Sequence, residues 1–291
     1  MIRVQATTVC AADWRLRKAD PFLVRLMMGL WRPMKISILG MEFSGTVEST
    51  GKAVTRFHAG EQVFGGTGFR FGCHAEYVCL REDGALAIKP VNMPLEDSAA
   101  ILFGGVSALH FLRKAKIQAG QKVLIYGASG SVGTFAVQLA RHFGAHVTGV
   151  CSTSNVELVK SLAADLVVDY TKQDFSEAGR IYDIVIDTVG KSGYWRSMRS
   201  LKRGGVYGLV AGSLWTSWLG AMLASMTGAG KVITGVAAGE PGDAAFFKGL
   251  IESGEVITVI GRRYPLEQIA EAHRYAEAGH KKGNVLILVQ K

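Results

Sequence analysis

One stretch, Val123 to Ser152 (VLIYGASGSVGTFAVQLARHFGAHVTGVCS), limits what this chain can fold into more than any other. An apolar run, Val123 to Tyr126, meets the turn Gly127-Ala128-Ser129-Gly130-Ser131-Val132-Gly133. A helical pattern follows through Gln138, Leu139 and Ala140, breaks at Gly144, and gives way to a second apolar run, Val147 to Val150. Strand, glycine turn, helix and strand make one βαβ unit of about 30 residues, which commits its two strands to parallel pairing. Glycines let a backbone approach an anion closely, and a helix start aims N–H groups and the positive end of its dipole at it. The stretch reads as a site for the pyrophosphate of a dinucleotide. The spacing is Ala128-x-Gly130-x-x-Gly133 with Gly127 just ahead, so the usual first glycine is shifted by one. A tight strand–helix turn that binds nothing is the alternative reading.

The far end of the stretch bears on which dinucleotide. A carboxylate about 20 residues past the glycines would grip the ribose 2′-OH of NAD and repel a 2′-phosphate. Cys151-Ser152-Thr153-Ser154-Asn155 fills that place, and no acid follows until Glu157. Hydroxyl and amide donors suit a phosphate, which favours NADPH over NADH. Ser154 or Asn155 is also expected to cap a helix over Val156 to Ala163.

At 291 residues the chain is long for one core and comfortable for two domains. Its net charge of +9 is spread over short clusters such as Arg196-Ser-Met-Arg199, Lys202-Arg203 and Lys281-Lys282. No basic arm or interleaved aromatic platform marks a nucleic-acid binder, so the charge reads as a solvated face that attracts an anionic cofactor. Cys10, Cys73, Cys79 and Cys151 lack C-x-x-C spacing and read as reduced thiols, without a zinc ribbon or disulfide framework. Met1-Ile2-Arg3 leads straight into a strand-like segment, so no signal peptide is expected and the protein reads as cytoplasmic. The apolar segment Leu214 to Met226 is too short to cross a bilayer, and no membrane insertion is expected. It reads as a buried or interface helix, with a surface-lying membrane segment as the alternative.

Up to about residue 90, short runs alternate with glycine breaks: Ile2 to Ala6, Gly45 to Ser49, Gln62 to Phe64 and Ala75 to Val78. This is the texture of a small, mostly antiparallel β domain. Met93 to Ala100 reads as a helix start, and a second helix runs through His110, Phe111 and Leu112. From Val123 strands and helices alternate, with strands at Leu166–Tyr170, Ile184–Asp187, Gly205–Val210 and Lys231–Thr234. Such alternation builds a parallel sheet covered on both faces. The tail reads as a helix over Ala244–Gly254, a strand over Val256–Arg262, a helix over Leu266–Glu277 and a strand over Asn284–Gln290.

Several blocks in this order resemble the medium-chain dehydrogenase/reductase superfamily, on its zinc-free quinone oxidoreductase (zeta-crystallin-like) branch. They are Gly40-Met41-Glu42-Phe43-Ser44-Gly45-Thr46-Val47, Gly60-Glu61-Gln62-Val63-Phe64-Gly65, Ala75-Glu76-Tyr77-Val78, Gly104-Gly105-Val106-Ser107-Ala108, the glycine turn, Asp187-Thr188-Val189-Gly190 and Gly279 to Val285. The resemblance implies an α/β fold in which a Rossmann-type parallel-sheet domain is inserted in a GroES-like, mostly antiparallel β domain. Residues 1–100 would form the first part of the substrate domain, 101–235 the dinucleotide-binding domain and 236–291 the return. Family chains usually open with additional strands before the segment matching Ile2 to Ala6. The β domain is therefore expected to be shortened, or the sequence to begin late, with an exposed sheet edge and an open cleft.

The resemblance also implies NADPH in a cleft between domains and assembly as a homodimer. Ser107, Gly127, Ser129, Gly130, Ser131, Val132 and Gly133 would hold the pyrophosphate side, and Ser152, Ser154, Asn155 and Tyr170 would surround the 2′-phosphate. Val189, Val210 and Asn284 would face the nicotinamide, and Lys172 would compensate for a basic residue that relatives carry near Ser154. Zinc-using members place a metal cysteine at Cys10, an acid at Asp13 and a ligand histidine at Met41, with a third ligand cysteine near Phe103-Gly104, where this chain has none. One thiol cannot make a three-ligand zinc site, so no metal is expected and Cys10 reads as a small buried residue.

The function implied is hydride transfer from NADPH to a small-molecule quinone, enone or related carbonyl. Asp13 is the one candidate catalytic residue, with hydrogen-bonding between loops as its alternative role; Trp14, Phe69 and Trp215 are candidate pocket walls or ordinary core. Two other functions stay open: a cofactor-binding protein without turnover, and an enoyl-reductase-like domain.

Overall fold

Runs of apolar residues long enough to be buried on both faces set the layout, and a computed structural model shows where each goes. It describes residues 1–19, 36–211, 230–237, 239–240, 242–279 and 281–289, so Leu214–Met226 and Trp215 lie outside the described residues. In chain order the elements are β1 (Ile2–Thr8), α1 (Ala11–Lys18), β2 (Glu42–Val47), β3 (Gln62–Gly66), β4 (Tyr77–Val78), β5 (Ala85–Ile88), α2 (Leu102–Lys114), β6 (Lys122–Tyr126), α3 (Ser131–His142), β7 (His146–Cys151), α4 (Val156–Ser161), β8 (Leu166–Asp169), β9 (Tyr182–Asp187), α5 (Tyr194–Ser200), β10 (Leu201–Leu209), β11 (Lys231–Thr234), α6 (Asp243–Glu252), β12 (Ile260–Pro265), α7 (Ile269–Glu277) and β13 (Asn284–Leu288). The chain divides into two units: Met1–Phe103 with Gly239–Lys291, and Gly104–Ala238.

In the first unit the strands lie in the order β12-β13-β1-β2-β3-β5, with β4 also on β1. All pairs are antiparallel except β12 with β13. Period-two alternation drives this: Ile2 and Val4 of β1 join Phe43, Val47 and Val63 in one core, while Arg3 between them is exposed. β1 is bonded on both sides, Ala6–Thr8 to β13 and Ile2–Thr7 to β2, so it lies inside the sheet rather than forming an exposed edge. The last crossover strand starts later than Val256, because the Val256 N–H closes the end of α6 on the Leu250 carbonyl. The expected helix start at Met93–Ala100 is a short 3₁₀ turn, Glu96–Ala100.

The second unit is a six-stranded sheet in the order β11-β10-β9-β6-β7-β8, with every pair parallel. Val123, Leu124 and Ile125 of β6 are fully buried, as a strand covered on both faces requires. The strand order turns back between β6 and β9. In open parallel sheets the ligand crevice lies at the carboxyl ends of the strands at such a switch point.

Candidate functional site

The glycine turn opens at that switch point, at the end of β6. Gly127 takes a φ of +80°, and a Cβ there would stand 2.2 Å from Val189 Cγ2. Gly133, in the first turn of α3, comes so close to the turn that a Cβ would lie 2.0 Å from the Gly127 carbonyl oxygen. Both positions are closed by neighbouring protein. Gly130 differs: a Cβ there would meet one atom, the Gly127 carbonyl oxygen, at an ordinary contact distance of 3.6 Å. Gly130 is also the N-cap of α3 and, having no side chain, makes no side-chain cap there. A glycine N-cap with room beside it at a helix start suits an anionic pyrophosphate by charge and by shape. Ser129 and Ser131 are buried in the turn, Val132 is half-buried, and Ser107 is buried on α2.

At the end of β7, Ser152 Oγ and Ser154 Oγ lie 3.4 Å apart. Asn155 stands at the N-cap of α4 but makes no side-chain cap. Its Nδ2 instead donates to Ser152 Oγ at 3.1 Å, and its Oδ1 is buried without a hydrogen-bond partner. The expected cap by Asn155 is thus replaced by a side-chain amide that donates to the Ser152 hydroxyl, with its acceptor left over. Tyr170 donates its amide to the Cys151 carbonyl and lays its half-exposed ring against Tyr126, centroids 6.3 Å apart and planes 30° apart.

A carboxylate does stand nearby, one strand over: Asp169 ends β8. It accepts hydrogen bonds from Thr153 Oγ1 at 2.6 Å and from Thr171 Oγ1 and N at 2.7 and 3.0 Å. These hydroxyl bonds, that of Thr153 first, hold its carboxyl below the usual carboxylate value. Lys172 Nζ lies 3.7 Å from the same carboxylate, so the expected compensating cation is drawn onto Asp169.

The loop after β9 frames the other side of the turn. Thr188 Oγ1 donates to the Tyr126 and Gly127 carbonyls at 2.9 and 3.2 Å. Val189 is part-exposed, and the Val210 amide donates to the Asp187 carbonyl at 2.9 Å. Asp187 itself is fully buried: Oδ1 accepts from the Val189 and Gly190 amides at 2.9 and 2.7 Å, and Oδ2 from the Ser192 amide at 2.9 Å. Its side-chain role was not read from the sequence. The available signal was an acid closing an apolar strand just before a Gly/Ser turn, the setting of side chain-to-backbone turns.

In the first unit, Cys10 and Met41 come together, thiol to thioether sulfur at 3.9 Å. Asp13 is fully buried, and its oxygens accept from the Cys10 amide at 2.8 Å and the Gly40 amide at 2.9 Å, a tie between two loops. Glu42 accepts from Thr8 Oγ1 at 2.5 Å and the Phe103 amide at 2.7 Å. Burial raises its carboxyl to about 7 despite those donors. Burial, then Asp13, pushes the Cys10 thiol well up. A neutral thioether beside a protonated thiol is a poor zinc set, and no group of three His, Cys, Asp or Glu able to hold a metal exists among the described residues. The residues present do not fit zinc.

Asn284 also belongs to this unit, its Nδ2 donating to the Val259 carbonyl at 3.2 Å. Trp14 packs with Val9 and Ala272 in the core, whereas Phe69 is 61% exposed and so is not core. Among the described residues no helix is long and apolar enough to cross a membrane.

Comparison with known proteins settles the family. Residues 1–90 match the alcohol dehydrogenase GroES-like domain and residues 162–287 the zinc-binding dehydrogenase family. The trans-enoyl reductase pgmF of Aspergillus terreus is 32% identical over 246 residues, covering 76% of this chain and 67% of the relative. The chain belongs to the medium-chain dehydrogenase/reductase superfamily, on its zinc-free quinone oxidoreductase branch. The 2-methylene-furan-3-one reductase of Solanum lycopersicum is 31% identical over 265 residues, 86% of this chain but only 63% of that protein's length. Among solved structures, the quinone oxidoreductase of Coxiella burnetii superposes with a TM-score of 0.89 at 28% identity, covering 99% of this chain and 90% of the other.

Proposed function

We propose that this superfamily member is an NADPH-dependent, zinc-independent reductase of small quinones, enones or related carbonyls. The observation that carries the reading is the uncrowded Gly130, N-cap of α3, framed by two glycines that neighbouring protein closes. Gly127, Gly130 and Gly133 with Ser129, Ser131 and Val132 would hold the pyrophosphate, and Ser107 would border it. Ser152, Ser154, Asn155 and Tyr170 would surround the 2′-phosphate end. NADPH rather than NADH follows from the hydroxyl and amide groups that end β7. Asp169 stands one strand over, with its oxygens engaged by the Thr153 and Thr171 hydroxyls and with Lys172 nearby. Val189 and Val210 would border the nicotinamide.

When bound, the cofactor supplies a hydride, and an electron-poor carbon conjugated to a carbonyl is the partner it requires. Relatives named as an alkenal/one oxidoreductase, a furanone reductase and a quinone oxidoreductase share that feature. The protein's contribution is orientation. Asp13, with both oxygens engaged by backbone amides, serves as a loop tie, and the proton that follows the hydride comes from water or a nearby donor. The expected assembly is a homodimer, which sedimentation tests. The direct test is NADPH binding by fluorescence and thermal shift, followed by NADPH oxidation with a panel of small quinones and enones in the presence of a chelator. Absence of NADPH binding refutes the reading.

A further inference from the structure

The most heavily bonded buried carboxylate of the second unit is one that the proposed reaction does not use. Asp187 ends β9 directly beside Tyr126 of β6, at the switch point of the sheet. Its three backbone hydrogen bonds fold residues 188–192 back over the strand end. Beyond them, Tyr207 OH lies 3.4 Å from Asp187 Oδ2 and 3.1 Å from Ser192 Oγ, and Ser192 Oγ lies 2.8 Å from Ser197 Oγ. The carboxylate therefore ties the loop to β10 and α5 as well as to β9. A fully buried charge is costly, and one met by this many donors fixes a geometry that an apolar residue would leave loose.

What it fixes is specific. Val189, two residues on, is the side chain that closes over Gly127, and the Asp187 carbonyl holds the Val210 amide. Gly130 to Gly133, at the start of α3, make no bond to this carboxylate, and the loop meets the glycine turn at Gly127, through the Thr188 hydroxyl and Val189. The start of α3 and the loop after β9 are thus held by different bonds.

We infer that Asp187 is a positioning residue, which sets the loop that borders the nicotinamide and makes no bond to the pyrophosphate anchor at Gly130–Gly133. This rests on the proposed function. Its signature is a split: loosening the loop lowers the rate of hydride transfer while cofactor affinity holds.

The test uses the whole chain, in wild-type, Asp187→Asn and Tyr207→Phe forms. Asn keeps the shape but sets an NH₂ against backbone N–H groups, whereas Tyr207→Phe leaves all three backbone bonds in place and removes only the far tie. The first readout, without cofactor, is amide hydrogen exchange at Val189, Gly190 and Ser192. These amides should be protected in the wild type and exchange about 10- to 100-fold faster in Asp187→Asn, the loss of a hydrogen bond to a charged group. The second is the NADPH dissociation constant by fluorescence, expected within about threefold of wild type, against a fall in kcat of about 10- to 100-fold, the scale of a small misplacement of reacting atoms. The third is the primary isotope effect on kcat with NADPH deuterated at the transferred position. It should rise in Asp187→Asn as hydride transfer becomes limiting, whereas a partly unfolded population would leave it unchanged. Tyr207→Phe should move the same three readouts in the same direction by less, and it serves if Asp187→Asn does not fold. Unprotected loop amides in the wild type overturn the inference, as does loss of NADPH affinity in step with kcat. If wild-type protein binds no NADPH while its loop amides are protected, the proposed function has failed and the positioning role falls with it.

Discussion

Replacing Glu42 with Gln should reveal a pH dependence of stability that the unaltered chain conceals. Burial lifts the Glu42 carboxyl to about 7 from its ordinary 4.5. Between those values the folded chain keeps a proton that the unfolded chain has lost, so stability falls as pH rises through this window. His273, buried on α7 with an unpartnered Nδ1 and its ring 5.8 Å from that of His74, is displaced the other way. Burial first, and His74 next, lowers it to about 4 from 6.5, with Asp13 and Glu277 pulling upward and Arg17 down. Here the unfolded chain binds the extra proton, so stability falls as pH drops from 6.5 toward 4. Each group contributes about 1.4 kcal/mol per pH unit within its own window, with opposite signs. The windows overlap between pH 4.5 and 6.5, where the two slopes cancel. Glu42→Gln removes one slope; its amide oxygen can accept from the Phe103 N–H while its NH₂ donates to Thr8 Oγ1. The variant should therefore lose about 2–3 kcal/mol relative to wild type on going from pH 6.5 to 4.5, or roughly 5–10 °C in Tm. Urea unfolding of both proteins at three pH values across the window reads this as a difference, in which all other carboxylates drop out. His273→Gln should show the mirror image, gaining relative stability as pH falls. Parallel stability curves for wild type and Glu42→Gln would refute the assignment of a proton to folded Glu42.

Other outcomes follow from single positions. Gly133→Ala drives a Cβ to 2.0 Å from the Gly127 carbonyl and should unfold or strongly destabilise the chain, whereas Gly130→Ala, whose Cβ would meet only an ordinary 3.6 Å contact, should keep the wild-type Tm and lose NADPH affinity; thermal shift with and without NADPH separates the two. Ser152→Asp places a carboxylate at the end of β7 and should shift preference from NADPH toward NADH, read as the ratio of the two dissociation constants. With Cys10, Cys73 and Cys151 buried and their thiols pushed up by that burial, only exposed Cys79 should react promptly with a thiol reagent near pH 8. Purified protein should carry no stoichiometric zinc by elemental analysis, and chelators should leave its turnover unchanged.

The parallel sheet was legible because its strands are near-continuous apolar runs and because glycine turns mark where β6 passes to α3. The antiparallel sheet was legible from alternation in β1 to β3. Boundaries failed where a backbone bond outside the local pattern decided them, as when the Val256 amide closed α6. The side chains that shape the site were harder to read. Asp187, Asp169 and Glu42 act on backbone amides or hydroxyls, and such partners leave no mark in residue type. Glu42 meets Phe103 across 61 positions of chain and Asp13 meets Gly40 across 27, distances over which no spacing rule operates. Asn155 was read as a cap because its residue type and place fit one; the competing hydroxyl of Ser152 took its amide instead.

The loops that carry Cys10 and Met41 are held by hydrogen bonds of their own. Two carboxyl groups, Asp13 and Glu42, are buried beside them, each of which would be costly if unpartnered. Neither is. Asp13 spends its oxygens on the Cys10 and Gly40 amides, which fixes the loops carrying Cys10 and Met41, and Glu42 joins Thr8 to the start of α2 through Phe103. Met41 then fills the gap with a polarizable thioether against the Cys10 thiol. The two carboxylates are thus parts of the backbone scaffold, independent of any ion. Restoring histidine at Met41 would accordingly return one ligand to an intact frame, still short of the three that a catalytic zinc requires. Met41→His alone should bind zinc no better than the parent chain in a competition assay, and stoichiometric binding by that variant would show that a third donor stands closer than the described residues provide.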